Sequence, residues 1–470
     1  MAMKAVGLFG GVQMVNIVCS LVRNKLVAMW IGPAGVGLFG LFNNALETLT
    51  TAVGLGVRNS SVRDLSQCCD PATSHRGRAA VMIAVVRRWS LWLAVAGVVV
   101  TVALAPLLSK WTFGSDDHVW GFIALSIAVL MVTLTNGELA VLQGTSRLRR
   151  FARVSLWGTV GGLLISVPLF YWLRSDSIVP SIVAYAACGA LAALVMRSKE
   201  YPTVNVTTRQ AVTVGTGFIK LGLFMTAGVF VAQLAAYAFN AWLNVNASTE
   251  QVGFYQAGYT LINRYTGLIL AALGMEYYPR LSRVAQHATR LRVYVSQEIN
   301  IAMAVMAPVV CVFVVLREFV VWLLYTPEFF VIEHMVTWGM VGTIFRTLSW
   351  CIAFVILAKG SGKIYLVTET LSAIVGFALN VMGYRWGGIT GLGVAFAVWY
   401  IVYTFIVAVV YLRVYRLTLS RGCWLAALWT LAISLAVVAA MNAGITWLAW
   451  LLTAAATLIA LYLLRAYWRA

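Results

Sequence analysis

Charge is scarce in this chain: only 10% of its 470 residues are Asp, Glu, Lys or Arg, and the acidic ones number 15. A set of water-soluble domains needs far more charge on its surfaces, so that class is excluded. Histidines number four (His75, His118, His287 and His334), are expected in loops and have no metal-ligand spacing. The seven cysteines are scattered without a CxxC pair, so neither disulfides nor a metal centre is expected. Long polar stretches are missing too. The longest, about 58–83 and about 275–297, are too short to bury a core, which excludes a soluble catalytic domain.

What the chain does have is apolar residues, 61% of the total, in runs long enough for a helix to cross a bilayer. The expected fold class is an all-α integral membrane protein of about fourteen transmembrane helices. They are placed at about 5–30, 36–57, 84–107, 119–142, 154–173, 178–197, 215–243, 252–274, 298–316, 335–358, 364–384, 388–412, 422–441 and 445–464. The first run carries Arg23 and Lys25 and lacks a small-residue cleavage site, so it is read as helix 1 and not as a removable signal.

A net charge of +19 raises the question of a polyanionic partner, and the positions of the basic residues answer it. With the N-terminus inside, 25 of the 34 fall in cytoplasmic segments, while the opposite loops hold only Lys110, Arg174, Arg317 and Arg385. This is the positive-inside bias, which predicts a multi-pass membrane protein with both termini cytoplasmic and no nucleic-acid partner.

Sliding the chain against itself by 216 residues places Val36-Gly37-Leu38-Phe39 on Val252-Gly253-Phe254-Tyr255 and Leu65-Ser66 on Leu281-Ser282. That offset spans an even number of helices, so the copies are parallel repeats. The expected organisation is a six-helix lobe over 1–200, a second over 201–413 and two additional helices over 414–470.

Ionisable residues at membrane depth cost about 2.5–3.5 kcal/mol each on insertion scales, so they usually face a cavity or a partner. Here they are Arg23, Lys25, Glu47, Glu138, Lys220, Arg264, Arg346 and Glu369, a basic excess suited to an anion. On helix 1, Gln13, Asn16, Ser20, Arg23 and Asn24 line up as one polar stripe, with Lys25 on a different face. Asn44, Glu47, Thr48 and Thr51 form a second stripe on helix 2. Gln256, Tyr259, Thr260 and Asn263, beside Arg264, form a third on helix 8. For any one of these charges the competing reading is a buried ion pair that fixes helix packing.

Gly32-Pro33-Ala34-Gly35-Val36-Gly37 and the polar second helix resemble the Wzx-type polysaccharide flippases of the MOP exporter superfamily. Tyr278-Pro279-Arg280-Leu281-Ser282, the segment from Leu316 to Leu324, and Leu357-Ala358-Lys359-Gly360 are similar to the same family, most of all to its lipid III flippase branch. The resemblance covers about residues 1–413 and implies movement of an undecaprenyl-pyrophosphate-linked oligosaccharide between leaflets, with no catalytic residue and no cofactor. It also implies a cationic cavity with Lys25, Arg264 and Arg346 as candidates; from the polar stripes Arg23 joins them, with Asn16, Asn44 and Asn263 beside, and two lobes are expected to rock about this site. Glu47, Glu138 and Glu369 are the candidates for coupling to a proton or sodium gradient. Membrane lipids, a polysaccharide polymerase and chain-length proteins are the implied partners. A multidrug or cation antiporter of the same superfamily would favour acidic residues in the cavity. An intramembrane glycan polymerase would carry a large charged outer loop, which this chain lacks.

Overall fold

The computed structural model describes residues 2–68, 76–197, 200–202 and 204–469. Among them the elements are helical: α1 (Ala2–Trp30), α2 (Pro33–Gly54), α3 (Val57–Cys68), α4 (Arg76–Phe113), α5 (Val119–Gly144), α6 (Leu148–Leu173), α7 (Ile178–Val195), α8 (Thr208–Asn246), α9 (Thr249–Val284), α10 (Ala288–Val315), α11 (Arg317–Leu324), α12 (Glu333–Ala358), α13 (Gly362–Val409), α14 (Arg421–Asn442) and α15 (Thr446–Arg469). An all-helical chain is the physical consequence of a solvent that cannot hydrogen-bond to the backbone, since each helix satisfies its own amides. Side-chain hydroxyls follow the same rule. Thr48, Thr133, Thr347 and Thr453 each donate to the carbonyl four residues back.

Among the described residues, nine helical stretches are long and apolar enough to cross a membrane. Two of these contain two helices each. Leu148–Val195 is broken by a 3-10 turn at Arg174–Ser177, and Gly362–Val414 bends at Gly387 and Gly388, whose φ of +55° at Gly388 ends the first arm. Beyond the bend α13 folds back on itself. Glu369 accepts a hydrogen bond from Tyr403, Trp399 donates to Ser372, and the backbones meet at Gly383 and Gly391. With these two stretches counted as pairs, and with α1, α2 and α9 at 29, 22 and 36 residues, the long helices are consistent with the fourteen expected.

Several expected loops prove to be helical. The stretch read as a loop from about 58 contains α3, which buries Val57 and Leu65 while exposing Arg63 and Ser66. Its amphipathic pattern is too short and polar to register as a span. The loop expected over about 275–297 is instead the end of α9, a short link and the start of α10, because Tyr277, Leu281 and Leu291 continue the buried face. Likewise α11 and a 3-10 turn at Pro327–Ile332 occupy the approach to α12, and His334 lies in the first turn of α12 rather than in a loop. Cys69 and His75 lie outside the described residues, as does the side chain of Lys220.

The chain divides into two compact units, Met1–Gly253 and Phe254–Ala470, whereas the expected lobes divide near 200. Helix α8 belongs with the first unit because its contacts lie there. The Trp89 indole donates to Ala211 O at 2.9 Å, Asn244 donates to Thr112 O at 2.9 Å, and Tyr237 and Thr112 share a buried hydrogen bond. Within the second unit, α14 docks on α10 through Thr430, whose hydroxyl donates to Met303 O at 3.4 Å, and through Cys423, near Ser296 O.

Candidate functional site

Polar regions stand out in each unit. In the first unit, α2 ends where Leu55 and Gly56 take φ of +44° and +67°. At Gly56 any side chain would be blocked, since a Cβ there would lie 2.2 Å from Gly222 O of α8. This tight turn against α8 redirects the chain into α3 and sets Arg58 at the mouth of a cavity of about 410 Å³. Polar atoms come from Thr50 and Thr51 of α2, Thr133, Asn136 and Gln143 of α5, and Thr226 of α8. Arg58 donates to Asn136 Oδ1 at 3.2 Å and is otherwise exposed, so its guanidinium presents further donors to the cavity. A fork of donors beside hydroxyls and amides suits a phosphate or carboxylate bearing sugar-like groups.

On the other side of α5 lies a second cavity of about 390 Å³, lined by Arg87, Arg88, Glu138 and Arg197. The buried Glu138 carboxylate bridges α4 and the segment after α7: Arg87 Nε approaches at 2.7 Å, Arg87 Nη2 donates at 3.0 Å, and Arg197 Nε lies at 3.1 Å. Ser90 and Gly137 line both cavities, and a Cβ on Gly137 would fall 2.1 Å from Ser90 Oγ, so α4 and α5 touch along the dividing wall.

The helix 1 stripe packs against neighbouring helices. Asn16 donates to Ser155 Oγ at 3.4 Å and accepts from Thr159 Oγ1 at 2.7 Å, and Tyr185 donates to that same hydroxyl at 3.3 Å. Arg23 lies between the Phe39 and Tyr185 rings, 4.7 and 5.1 Å from their centroids, an arrangement that stabilises a guanidinium away from water. Lys25 is half-buried on α1. Glu47 is exposed on α2 and accepts from Asn43 Nδ2 at 3.0 Å, while the backbone carbonyl of the half-buried Asn44 accepts from Thr48.

In the second unit the structure brings Arg346 of α12 to α9. Its Nη1 donates to Thr266 Oγ1 at 3.0 Å and reaches Asn263 O at 3.5 Å, and the guanidinium lies over the Tyr400 ring at 5.9 Å. Asn263 donates its own amide to Tyr259 O at 3.2 Å. Tyr400 leads along α13 to Tyr403, the donor to Glu369. Arg264 is exposed on α9. Sequence reasoning missed Arg58, which had been counted with the cytoplasmic basic residues. The available signal was the Leu55-Gly56 break just before it.

Among the described residues no group of three or more His, Cys, Asp or Glu side chains is placed to hold a metal ion. Comparison with known proteins adds an independent line. A family described as "Polysaccharide biosynthesis protein" matches residues 75–333. The curated "Lipid III flippase" of Escherichia coli is 24% identical over 405 residues, spanning 83% of this chain and 93% of that protein, and the "Lipid III flippase" of Shigella flexneri matches to the same extent. Among solved structures, "Lipid II flippase MurJ, inward closed conformation" aligns with 98% of this chain and 100% of its own at TM-score 0.76 and 12% identity. An inward-facing multidrug resistance MATE family transporter of the MOP superfamily aligns with 84% of this chain and 96% of its own, at TM-score 0.71 and 12% identity. At such identities the solved structures establish a shared fold.

Proposed function

The chain belongs to the polysaccharide biosynthesis protein family, and from that premise we propose that it moves an undecaprenyl-pyrophosphate-linked oligosaccharide across the inner membrane. The observation that carries this reading is the arginine-bearing polar cavity of the first unit, which offers guanidinium and amide donors beside hydroxyl oxygens inside an otherwise apolar helical protein. Arg58 holds the pyrophosphate, since a charge-assisted contact to phosphate strengthens where water is scarce. Thr50, Thr51, Asn136 and Gln143 accept the first sugar, and the prenyl tail stays in lipid. Arg23 and Lys25 add positive charge within the first unit and Arg264 and Arg346 within the second, with Asn16, Asn44 and Asn263 supporting the helices that carry them. The similarity to the lipid III flippases favours a surface-glycan precursor as cargo, delivered onward to polymerase and chain-length proteins.

Movement needs no covalent step, which makes the protein a transporter. Energy enters as a proton or sodium gradient, or as membrane potential acting on the charged cargo. Glu47 and Glu369 are the coupling carboxylates of this reading. Each has a neutral hydrogen-bond donor beside it, Asn43 Nδ2 and Tyr403 OH, whereas Glu138 is bridged by two arginines.

The test is reconstitution in liposomes with a labelled undecaprenyl-pyrophosphate oligosaccharide, its leaflet followed by accessibility to added glycosidase. Arg58→Gln slows movement about tenfold or more, the weight of one charge-assisted phosphate contact. Normal movement in that variant removes Arg58 from the cargo site. Absence of movement in the wild type under every gradient and potential, together with extrusion of a cationic dye, replaces the flippase reading with the drug antiporter.

A further inference from the structure

The second cavity of the first unit, outside the cargo route proposed above, has an unusual balance of charge and surface. Three guanidinium groups, those of Arg87, Arg88 and Arg197, share it with one carboxylate, Glu138. Glu138 offsets one of them, so the cavity retains an excess of about two positive charges. Arg88 does not share the carboxylate. It donates to Val206 O and to Thr208 Oγ1 at 2.9 Å and lies 5.3 Å from the Trp92 ring centroid, which fixes its head at the rim. The side chain of Arg197 remains 42% exposed even with its ion pair, so one edge of its guanidinium faces out.

The flanks of this cavity are apolar and bare. Leu91 and Val95, one turn apart on α4, are each 51% exposed, and Leu191 and Leu194 on α7 are 61% and 49% exposed. In a membrane-spanning protein such a surface belongs to acyl chains. A soluble anion would gain nothing from it, whereas a lipid uses both parts at once: phosphate on the arginines, chains along Leu91, Val95, Leu191 and Leu194.

We propose that the cavity formed by Arg87, Arg88, Glu138 and Arg197 binds the phosphate of an anionic phospholipid, phosphatidylglycerol in class, from the leaflet at which these arginines lie. Its volume of about 390 Å³ accommodates a glycerophosphate headgroup. Basic pockets between transmembrane helices are the usual seat of such headgroups.

The experiment uses the full chain in detergent, with native mass spectrometry to count retained lipid after exchange with phosphatidylglycerol or phosphatidylcholine. Retention of phosphatidylglycerol over phosphatidylcholine falls about tenfold in Arg197→Gln and in Arg88→Gln, the loss of one charge-assisted contact, and is unchanged in Arg58→Gln. Arg197→Gln leaves the Arg87 pair to Glu138 in place, which protects the fold. A measurement on the wild type alone stands beside it: phosphatidylglycerol raises the unfolding temperature and phosphatidylcholine does not. Equal retention in wild type and both variants overturns the proposal, as does equal stabilisation by the two lipids. Displacement of the lipid by millimolar inorganic phosphate makes the cavity a soluble-anion site. Displacement by undecaprenyl pyrophosphate, lost in Arg197→Gln but not in Arg58→Gln, gives the cavity to the transported cargo; either displacement overturns the phospholipid reading.

Discussion

Removing the Glu138 carboxylate by Glu138→Ala exposes how much of the first unit depends on one ion-paired bridge. The Glu138 side chain is 8% exposed and Arg87 is 18% exposed, with two short contacts between them, so this is a buried pair. Taking away one partner of such a pair costs about 3–5 kcal/mol, because the guanidinium left behind has given up water without gaining a counter-charge. The Arg197 contact adds little. At 42% exposure that side chain is largely solvent-screened, and its share is at most about 1 kcal/mol. A loss of about 3–5 kcal/mol lowers the unfolding temperature by about 3–10 °C in a chain of this size, followed by tryptophan fluorescence at one fixed heating rate. A double-mutant cycle with Arg87→Ala isolates the pair and gives a coupling above about 1 kcal/mol. Additivity of the two variants within about 0.5 kcal/mol refutes the bridge, as does an unchanged unfolding temperature in Glu138→Ala. Transport in Glu138→Gln separates bridging from coupling. A bridge leaves flipping measurable in the folded fraction, whereas a coupling carboxylate abolishes it without loss of stability.

Gly37→Ala and Gly253→Ala each place a Cβ 1.9 Å from a backbone carbonyl, that of Thr249 and that of Pro33, so both destabilise by the upper part of about 1–3 kcal/mol or more and reduce the yield of monodisperse protein on size exclusion. Arg346→Ala removes the hydrogen bond to Thr266 and the stacking on Tyr400, costing about 2 kcal/mol in the second unit, and slows flipping by more than Arg264→Ala does if Arg346 serves the cargo. His118 packs against Phe113 and Phe42 between α4 and α5, and burial lowers its pKa below the usual 6.5, against the opposing pull of Asp117. The unfolded chain then takes up a proton before the folded one, so this stabilising term is full above pH 6.5 and declines as the pH falls below it. His118→Phe flattens the unfolding temperature between pH 7 and pH 5, and an unchanged pH slope counts against the packing of the neutral ring.

The long helices were legible because apolar length and the position of charge both report the same thing, a backbone that must satisfy itself in lipid. The start of α2 came three residues before the expected 36, because Gly32 takes φ of +84° and Pro33 opens the helix where no amide donor is needed. The Gly387-Gly388 reversal falls where the expected helices at about 364–384 and 388–412 meet, since two glycines between apolar runs permit the bend that lets Glu369 meet Tyr403. Helix α3 was not legible, because twelve polar-rich residues carry too little apolar length to separate them from a loop.

Pairing was the harder quantity, and Glu138 and Arg58 show why. Mid-membrane depth marks Glu138 as costly, yet its partners lie 51 residues earlier in α4 and 59 residues later beyond α7, and nothing in one sequence states which helices pack together. Arg58 fails in the opposite direction. A charge tally treats every arginine at a helix end as loop-facing, although a left-handed turn of two residues is enough to swing one back into the bundle, where Asn136 receives it at 3.2 Å. The same tally had placed Arg317 in an outer loop, and it is buried, 3.8 Å from Glu333 and donating to Thr337. Charge position therefore reads topology well and the cavity poorly. Topology depends on a sum over many residues, whereas a cavity depends on where one or two of them turn.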